Sequence, residues 1–139
     1  MTKILFVDDD RFFSSLYLEH LQSHYEVLVC YEADTALKAL QNDTDIAAAV
    51  IDVMMPPPSG FEHETHDGFT TGVWILGQCR DAIAARRIPI ILFTNRSVAY
   101  VEGEAAYLQI DPQLIQICAK VSVRAADLPH TVGKLIARR

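Results

Sequence analysis

Cysteine, glycine and proline are all sparse: three, six and six residues in a chain of 139. Cys30, Cys79 and Cys118 are odd in number and widely separated. They therefore form neither a disulfide framework nor a closely spaced zinc motif, and free thiols fit a reducing, cytoplasmic setting. So little glycine and proline excludes a collagenous or low-complexity chain. No apolar run approaches the ~18 residues of a membrane span. The apolar run Ile4-Leu5-Phe6-Val7 near the N-terminus is too short for a signal-peptide core. Basic residues are outnumbered, 12 Lys and Arg against 18 Asp and Glu, for a net charge of −6. That balance speaks against nucleic acid and anionic membranes as partners.

What the chain does have is apolar content, 50% of its residues, enough to offset the entropy of ordering. The length suits a single domain over residues 1–139. Apolar runs alternate with amphipathic stretches. Ile4–Val7, Tyr25–Tyr31, Ala47–Ile51, Ile88–Phe93 and Leu114–Ala119 read as strands, the first continuous and apolar, as a strand buried on both faces should be. Helical spacing marks Phe13, Leu16, Tyr17 and Leu21 after a cap at Asp10, and Ala33, Ala36, Leu37 and Leu40 further on. One helix through Val73, Leu76, Cys79 and Ile83 is expected, capped by Thr70 or Thr71, and another over Val98–Leu108. In the last helix Asp127 offers a cap, Pro129 suits the first turn, and Leu128, Val132, Leu135 and Ile136 share a face. Five strands alternating with five helices predict an α/β fold, a doubly wound five-stranded parallel sheet with helices on both faces. One segment stands out. Residues 56–71 are polar, open with Pro56-Pro57-Pro58, and exceed the usual ~2–6-residue connection.

Sheets of this kind bind ligands at the carboxyl ends of their strands. The first run ends at Asp8-Asp9-Asp10, the third at Asp52, the fourth at Thr94 and the fifth at Lys120. Any one of these has an ordinary structural explanation, since Asp after a strand commonly caps a helix. The ordered set across four strand ends is much harder to produce by accident. Carboxylates gathered together repel and call for a cation, and all-oxygen ligation suits Mg²⁺. A hydroxyl and an ammonium beside that cation suit a phosphoryl group, and a carboxylate can itself be the nucleophile.

These residues carry a resemblance. Ile4-Leu5-Phe6-Val7-Asp8-Asp9-Asp10, Ala49-Val50-Ile51-Asp52-Val53-Met54-Met55-Pro56, Ile88-Pro89-Ile90-Ile91-Leu92-Phe93-Thr94 and Cys118-Ala119-Lys120 resemble the motifs of response-regulator receiver domains, over essentially the whole chain. The resemblance implies a flavodoxin-like, receiver-type fold and a phospho-accepting switch of a two-component or phosphorelay system. It assigns Asp52 as phospho-acceptor and Asp8, Asp9, Asp52 and the Met54 carbonyl as Mg²⁺ ligands. Thr94 matches the hydroxyl that moves to the phosphoryl group, and Lys120 its ion-pair partner. A sensor histidine kinase or phosphotransfer protein would supply phosphate. With Arg139 following the last helix, output is expected through protein contacts, and no enzyme activity beyond self-phosphorylation and dephosphorylation is expected.

Four features depart from the family pattern: the long connection from Asp52 to Thr94, Asn95 where a small residue is usual, Val121 where proline is usual, and Ile117 at the aromatic switch position. A trans Lys120–Val121 bond is expected. Tyr100 or Tyr107 are candidates to replace the missing aromatic. The alternatives are a pseudo-receiver that is never phosphorylated and a phosphohydrolase using Asp8 and Asp10. Glu62, His63, Glu64, His66 and Asp67 could in principle bind zinc, but an exposed acidic loop anchored by Phe61 and Phe69 is the simpler expectation.

Overall fold

β1 (Lys3–Val7), β2 (Glu26–Cys30), β3 (Ile46–Asp52), β4 (Ile90–Thr94) and β5 (Ile115–Ala119) form one parallel sheet in the order β2-β1-β3-β4-β5. This is the expected fold, seen in a computed structural model that describes residues 1–138. The helices are α1 (Arg11–Gln22), α2 (Ala33–Asn42), α3 (Thr71–Gln78), α4 (Arg80–Arg86), α5 (Val98–Ala105) and α6 (Leu128–Arg138).

The strand sequences explain the layering. Side chains alternate across a strand, so Ile4 and Phe6 of β1 pack on one face of the sheet while Leu5 and Val7 pack on the other. Tyr17, Leu21, Leu128, Val132 and Leu135 from α1 and α6 cover the first face. Ala36, Leu40, Ile75, Leu76, Ile83 and Val101 from α2 to α5 cover the second. Both faces being covered, β1, β3 and β4 read as continuous apolar runs. The chain runs from β1 outward to β2, then crosses back over β1 to β3 and on to β4 and β5, so the strand order reverses between β1 and β3. The crevice where ligands bind in such sheets therefore lies at the carboxyl ends of β1 and β3.

Several local expectations need correction. The helix after the long connection is two helices. The Cys79 N–H is shared between the carbonyls of Ile75 and Leu76, and the chain turns there. The turn carries α4 onto the end of α2, where the Arg86 guanidinium donates to the carbonyls of Leu40 and Asp43. Those carbonyls would otherwise be orphans of the helix terminus. Leu16 is 53% exposed, and Ser14 takes an inward position instead, its hydroxyl donating to the Asp10 carbonyl at 2.7 Å. Neither threonine hydroxyl caps α3; that of Thr71 donates to the Met55 carbonyl at 2.7 Å. Asp127 lies at the end of a 3₁₀ turn, with its carboxylate 2.8 Å from Arg124 Nε. The helix at Val98 ends at Ala105 and tightens into a 3₁₀ turn over Ala106–Leu108. Among the described residues no helix is long and apolar enough to cross a membrane, and no peptide is cis, so Lys120–Val121 is trans.

Candidate functional site

The acidic run after β1 divides its labour. The Asp10 carboxylate accepts the Phe13 N–H at 2.9 Å and caps α1. Asp8, 1% exposed, accepts the Asp10 N–H at 2.9 Å and turns into the crevice. Asp9 stays exposed at its rim. Across the switch point, β3 delivers Asp52, 4% exposed. Its Oδ1 accepts the Met54 N–H at 3.3 Å. One carboxylate oxygen from each of Asp8, Asp9 and Asp52 lies within 4.8 Å of the others.

From the far side β5 delivers Lys120. Its Nζ lies 3.2 Å from Asp8 Oδ2 and 3.2 Å from Asp52 Oδ1, so one buried ammonium bridges two buried carboxylates. Thr94 ends β4, fully buried, and its Oγ1 accepts the Arg96 N–H at 2.8 Å. Register places Thr94 beside Ala119, and Phe93 beside Asp52. Asp8, Asp9, Asp52, Thr94 and Lys120 thus gather at one edge of the sheet, with Met54 half-buried two residues beyond Asp52.

Burial and charge set the electrostatics. Burial pushes the Asp52 carboxyl up to about 7, the Asp8 charge adds to the rise, and Lys120 restrains it. Asp8 is raised in the same way, mainly by burial. Burial alone would lower Lys120; Asp52 and Asp8 more than offset this and raise it. The three carboxylates carry more negative charge than one lysine balances, which is the condition under which a divalent cation with oxygen ligands is favoured. The donor set, oxygen only and partly open at Asp9, fits Mg²⁺, which keeps some of its waters.

Contacts that the sequence pattern does not announce complete the site. Gly72 at the start of α3 packs directly on the backbone of β3; its N–H donates to the Val53 carbonyl at 3.0 Å, and a Cβ there would lie 2.4 Å from the Asp52 carbonyl oxygen. Gly68, at φ 94°, is also tight: a Cβ there would lie 2.7 Å from the Met55 carbonyl oxygen. Phe13 and Tyr17, one turn apart on α1, both reach the Lys120 segment. The spacing of two aromatics at i and i+4 is the one signal that could have drawn attention to them.

The long connection is ordered. Met55 N–H donates to the Gly68 carbonyl, and Thr65, fully buried, donates its hydroxyl to the Phe61 carbonyl at 2.8 Å. Phe61 packs on Trp74 with ring centroids 4.9 Å apart, and Phe69 lies 4.8 Å from the Arg96 guanidinium, which also covers Tyr100. Both rings nonetheless stay exposed, Phe61 at 41% and Phe69 at 45%. Glu62, His63, Glu64, His66 and Asp67 are exposed and do not converge into a metal-ligating group among the described residues. Asn95 is exposed. Tyr107 is 86% exposed.

No family model matches the chain. The transcriptional regulatory protein CpxR of Klebsiella pneumoniae is 41% identical over 63 residues, 45% of this chain and 26% of that protein. CpxR of Escherichia coli is 40% identical over the same length. The match spans about a quarter of these relatives. Among solved structures, the Thermotoga maritima response regulator TrrA, in complex with Mg²⁺ and a beryllium fluoride, is 26% identical with a TM-score of 0.69, covering 97% of this chain and 99% of that one. A CheY-like receiver domain protein from Methanospirillum hungatei is 19% identical with a TM-score of 0.73, covering 99% and 95%. The receiver domain of Francisella response regulator 1452 superposes equally well over 99% and 98%. The likeness covers nearly the whole of this chain, and its fold is that of the response-regulator receiver domains.

Proposed function

We propose that the chain is a phospho-accepting switch in which Asp52 takes a phosphoryl group in the presence of Mg²⁺. One observation carries the reading: three carboxylates with oxygens within 4.8 Å of one another, two of them bridged by a buried lysine. Asp8, Asp9, Asp52 and the Met54 carbonyl would hold the cation, which supplies charge neutralisation for the phosphoryl oxygens. An Asp52 carboxylate oxygen forms the bond to phosphorus. The bond from phosphorus to the donor breaks, and its electron pair leaves with the donor atom, an imidazole nitrogen if the donor is a histidine kinase or phosphotransfer protein. Thr94 offers a buried hydroxyl whose oxygen accepts the Arg96 N–H and whose own O–H can donate to a phosphoryl oxygen. Lys120 exchanges its contact with the Asp52 carboxylate for one with the phosphoryl group. Output follows through protein contacts.

Two alternatives weigh less. The phosphohydrolase reading needs Asp10 in the crevice, and Asp10 caps α1 instead. The pseudo-receiver reading draws on Asn95 and Val121, yet both are exposed and leave the pocket's chemical groups in place. Incubation with acetyl phosphate, followed by intact mass, tests the proposal. One phosphoryl adduct is expected, abolished by EDTA and by Asp52→Asn. A stable adduct on another residue of the variant overturns the assignment.

A further inference from the structure

Lys120 is steadied from α1 and not by the residue that follows it. Val121 is 94% exposed. Phe13 and Tyr17, by contrast, hold the lysine at both ends. The Phe13 ring lies under the ammonium, with Nζ 4.4 Å from the ring centroid. The Tyr17 hydroxyl donates to the Val123 carbonyl at 2.8 Å and reaches the Lys120 carbonyl at 3.5 Å. Tyr17 is itself buried and wedged, with ring centroids 4.8 Å from Phe13 and 5.3 Å, edge-on, from Phe93. Phe93 immediately precedes Thr94.

We propose that Phe13 and Tyr17 are positioning residues for Lys120, a clamp from α1 that fixes the ammonium where a phosphoryl group on Asp52 would meet it. The inference rests on the phospho-switch reading and adds to it. A lysine side chain carries much rotamer freedom, and restricting it in advance reduces the ordering cost when its partner arrives. An aromatic face attracts a cation more strongly the further the pair is withdrawn from water; here Lys120 is buried and Phe13 half-buried. Asp8 and Asp52 each lie 3.2 Å from the ammonium and the ring lies against it, which restricts where its third N–H can turn. Tyr17 acts on the backbone: by tying the carbonyls on either side of Val121 to α1, it holds the turn over Lys120–Ser122 in place without a proline.

The test uses the full chain and beryllofluoride with Mg²⁺ as a phosphoryl mimic, with Mg²⁺ alone measured in parallel. Removing the ring in Phe13→Leu is expected to weaken beryllofluoride binding about tenfold, and removing the hydroxyl in Tyr17→Phe about fivefold. The affinity for Mg²⁺ alone should stay at the wild-type value, and Phe13→Tyr should restore beryllofluoride binding. A merely structural role would instead weaken both affinities together with thermal stability, and that outcome overturns the clamp. So does wild-type beryllofluoride affinity in Phe13→Leu when Lys120→Ala has lost it. The side-chain proton shifts of Lys120 give a reading that needs no phosphate. They should be displaced upfield by the Phe13 ring and return toward ordinary values in Phe13→Leu; shifts indifferent to that substitution refute the clamp. If the wild-type chain binds no beryllofluoride while those shifts respond as expected, the clamp stands and the phospho-switch reading fails.

Discussion

Neutralising Asp52 should stabilise the metal-free protein. The Asp52 carboxyl is pushed up to about 7 in the folded chain from an ordinary value of 3.8, first by burial and then by the Asp8 charge. The folded state therefore binds this proton more tightly than the unfolded state. Stability contributed by the site falls as pH rises from about 4 to about 7 and is constant above that window. At about 1.4 kcal/mol per unit, the shift corresponds to about 4 kcal/mol as an upper figure, which water penetration and relaxation reduce to about 2 kcal/mol. Asp52→Asn keeps the shape and removes the charge. At pH 8 in EDTA it should raise the unfolding midpoint by about 6 °C, taking about 3 °C per kcal/mol for a chain of this size. At pH 4.5, near the lower end of that window, the gain should fall to about a quarter of its pH 8 value. With saturating Mg²⁺ at pH 8 the ranking should narrow or reverse, because the ion stabilises the form that binds it better. Differential scanning calorimetry at the two pH values, with and without Mg²⁺, measures all of this. If Asp52→Asn is less stable than wild type at pH 8 in EDTA, the Lys120 contact outweighs burial and the Asp8 repulsion, and the electrostatic account is wrong.

Asp9→Ala should keep the fold and lose most of the thermal stabilisation that Mg²⁺ gives the wild type; an undiminished response would place the ion elsewhere. Gly72→Ala drives a Cβ to 2.4 Å from the Asp52 carbonyl oxygen. It should cost about 3 kcal/mol in denaturant unfolding and slow acetyl-phosphate labelling, whereas Gly103→Ala, with nothing within 4 Å, should do neither. Replacing Phe61–Asp67 by a short Gly-Ser link should leave acetyl-phosphate labelling nearly intact while weakening transfer from the protein donor; loss of small-molecule labelling would make the loop part of the chemistry.

The strand ends are legible in the sequence because the crevice is assembled from them: each apolar run stops at the residue it delivers, so Asp8, Asp52, Thr94 and Lys120 can be read in order. Asp10 is legible as a cap for the same local reason. The turn at Cys79 is not, since the apolar period continues through it and only the docking of Arg86 on α2 separates the two helices. Leu16 misleads because periodicity specifies a stripe and leaves the competition along its edge to tertiary packing, where Ser14 wins. The bond from Thr71 to the Met55 carbonyl joins residues that a local reading keeps apart. Phe13 beneath Lys120 is more hidden still, for it joins opposite ends of the chain.

The ends of the long connection meet. Met55 N–H to the Gly68 carbonyl, Thr71 hydroxyl to the Met55 carbonyl and Gly72 N–H to the Val53 carbonyl staple its two feet together directly behind Asp52. Whatever lies between the feet does not stretch the path from β3 to α3. Doubling the length of a flexible loop adds only about 0.6 kcal/mol of closure cost. Gly60, at φ 90° and with nothing within 4 Å of where a Cβ would stand, is thus a port: a fluorescent protein or an affinity tag spliced there would ride beside the crevice with the strand register undisturbed. The segment that most sets this chain apart is also the one into which a reporter can be built.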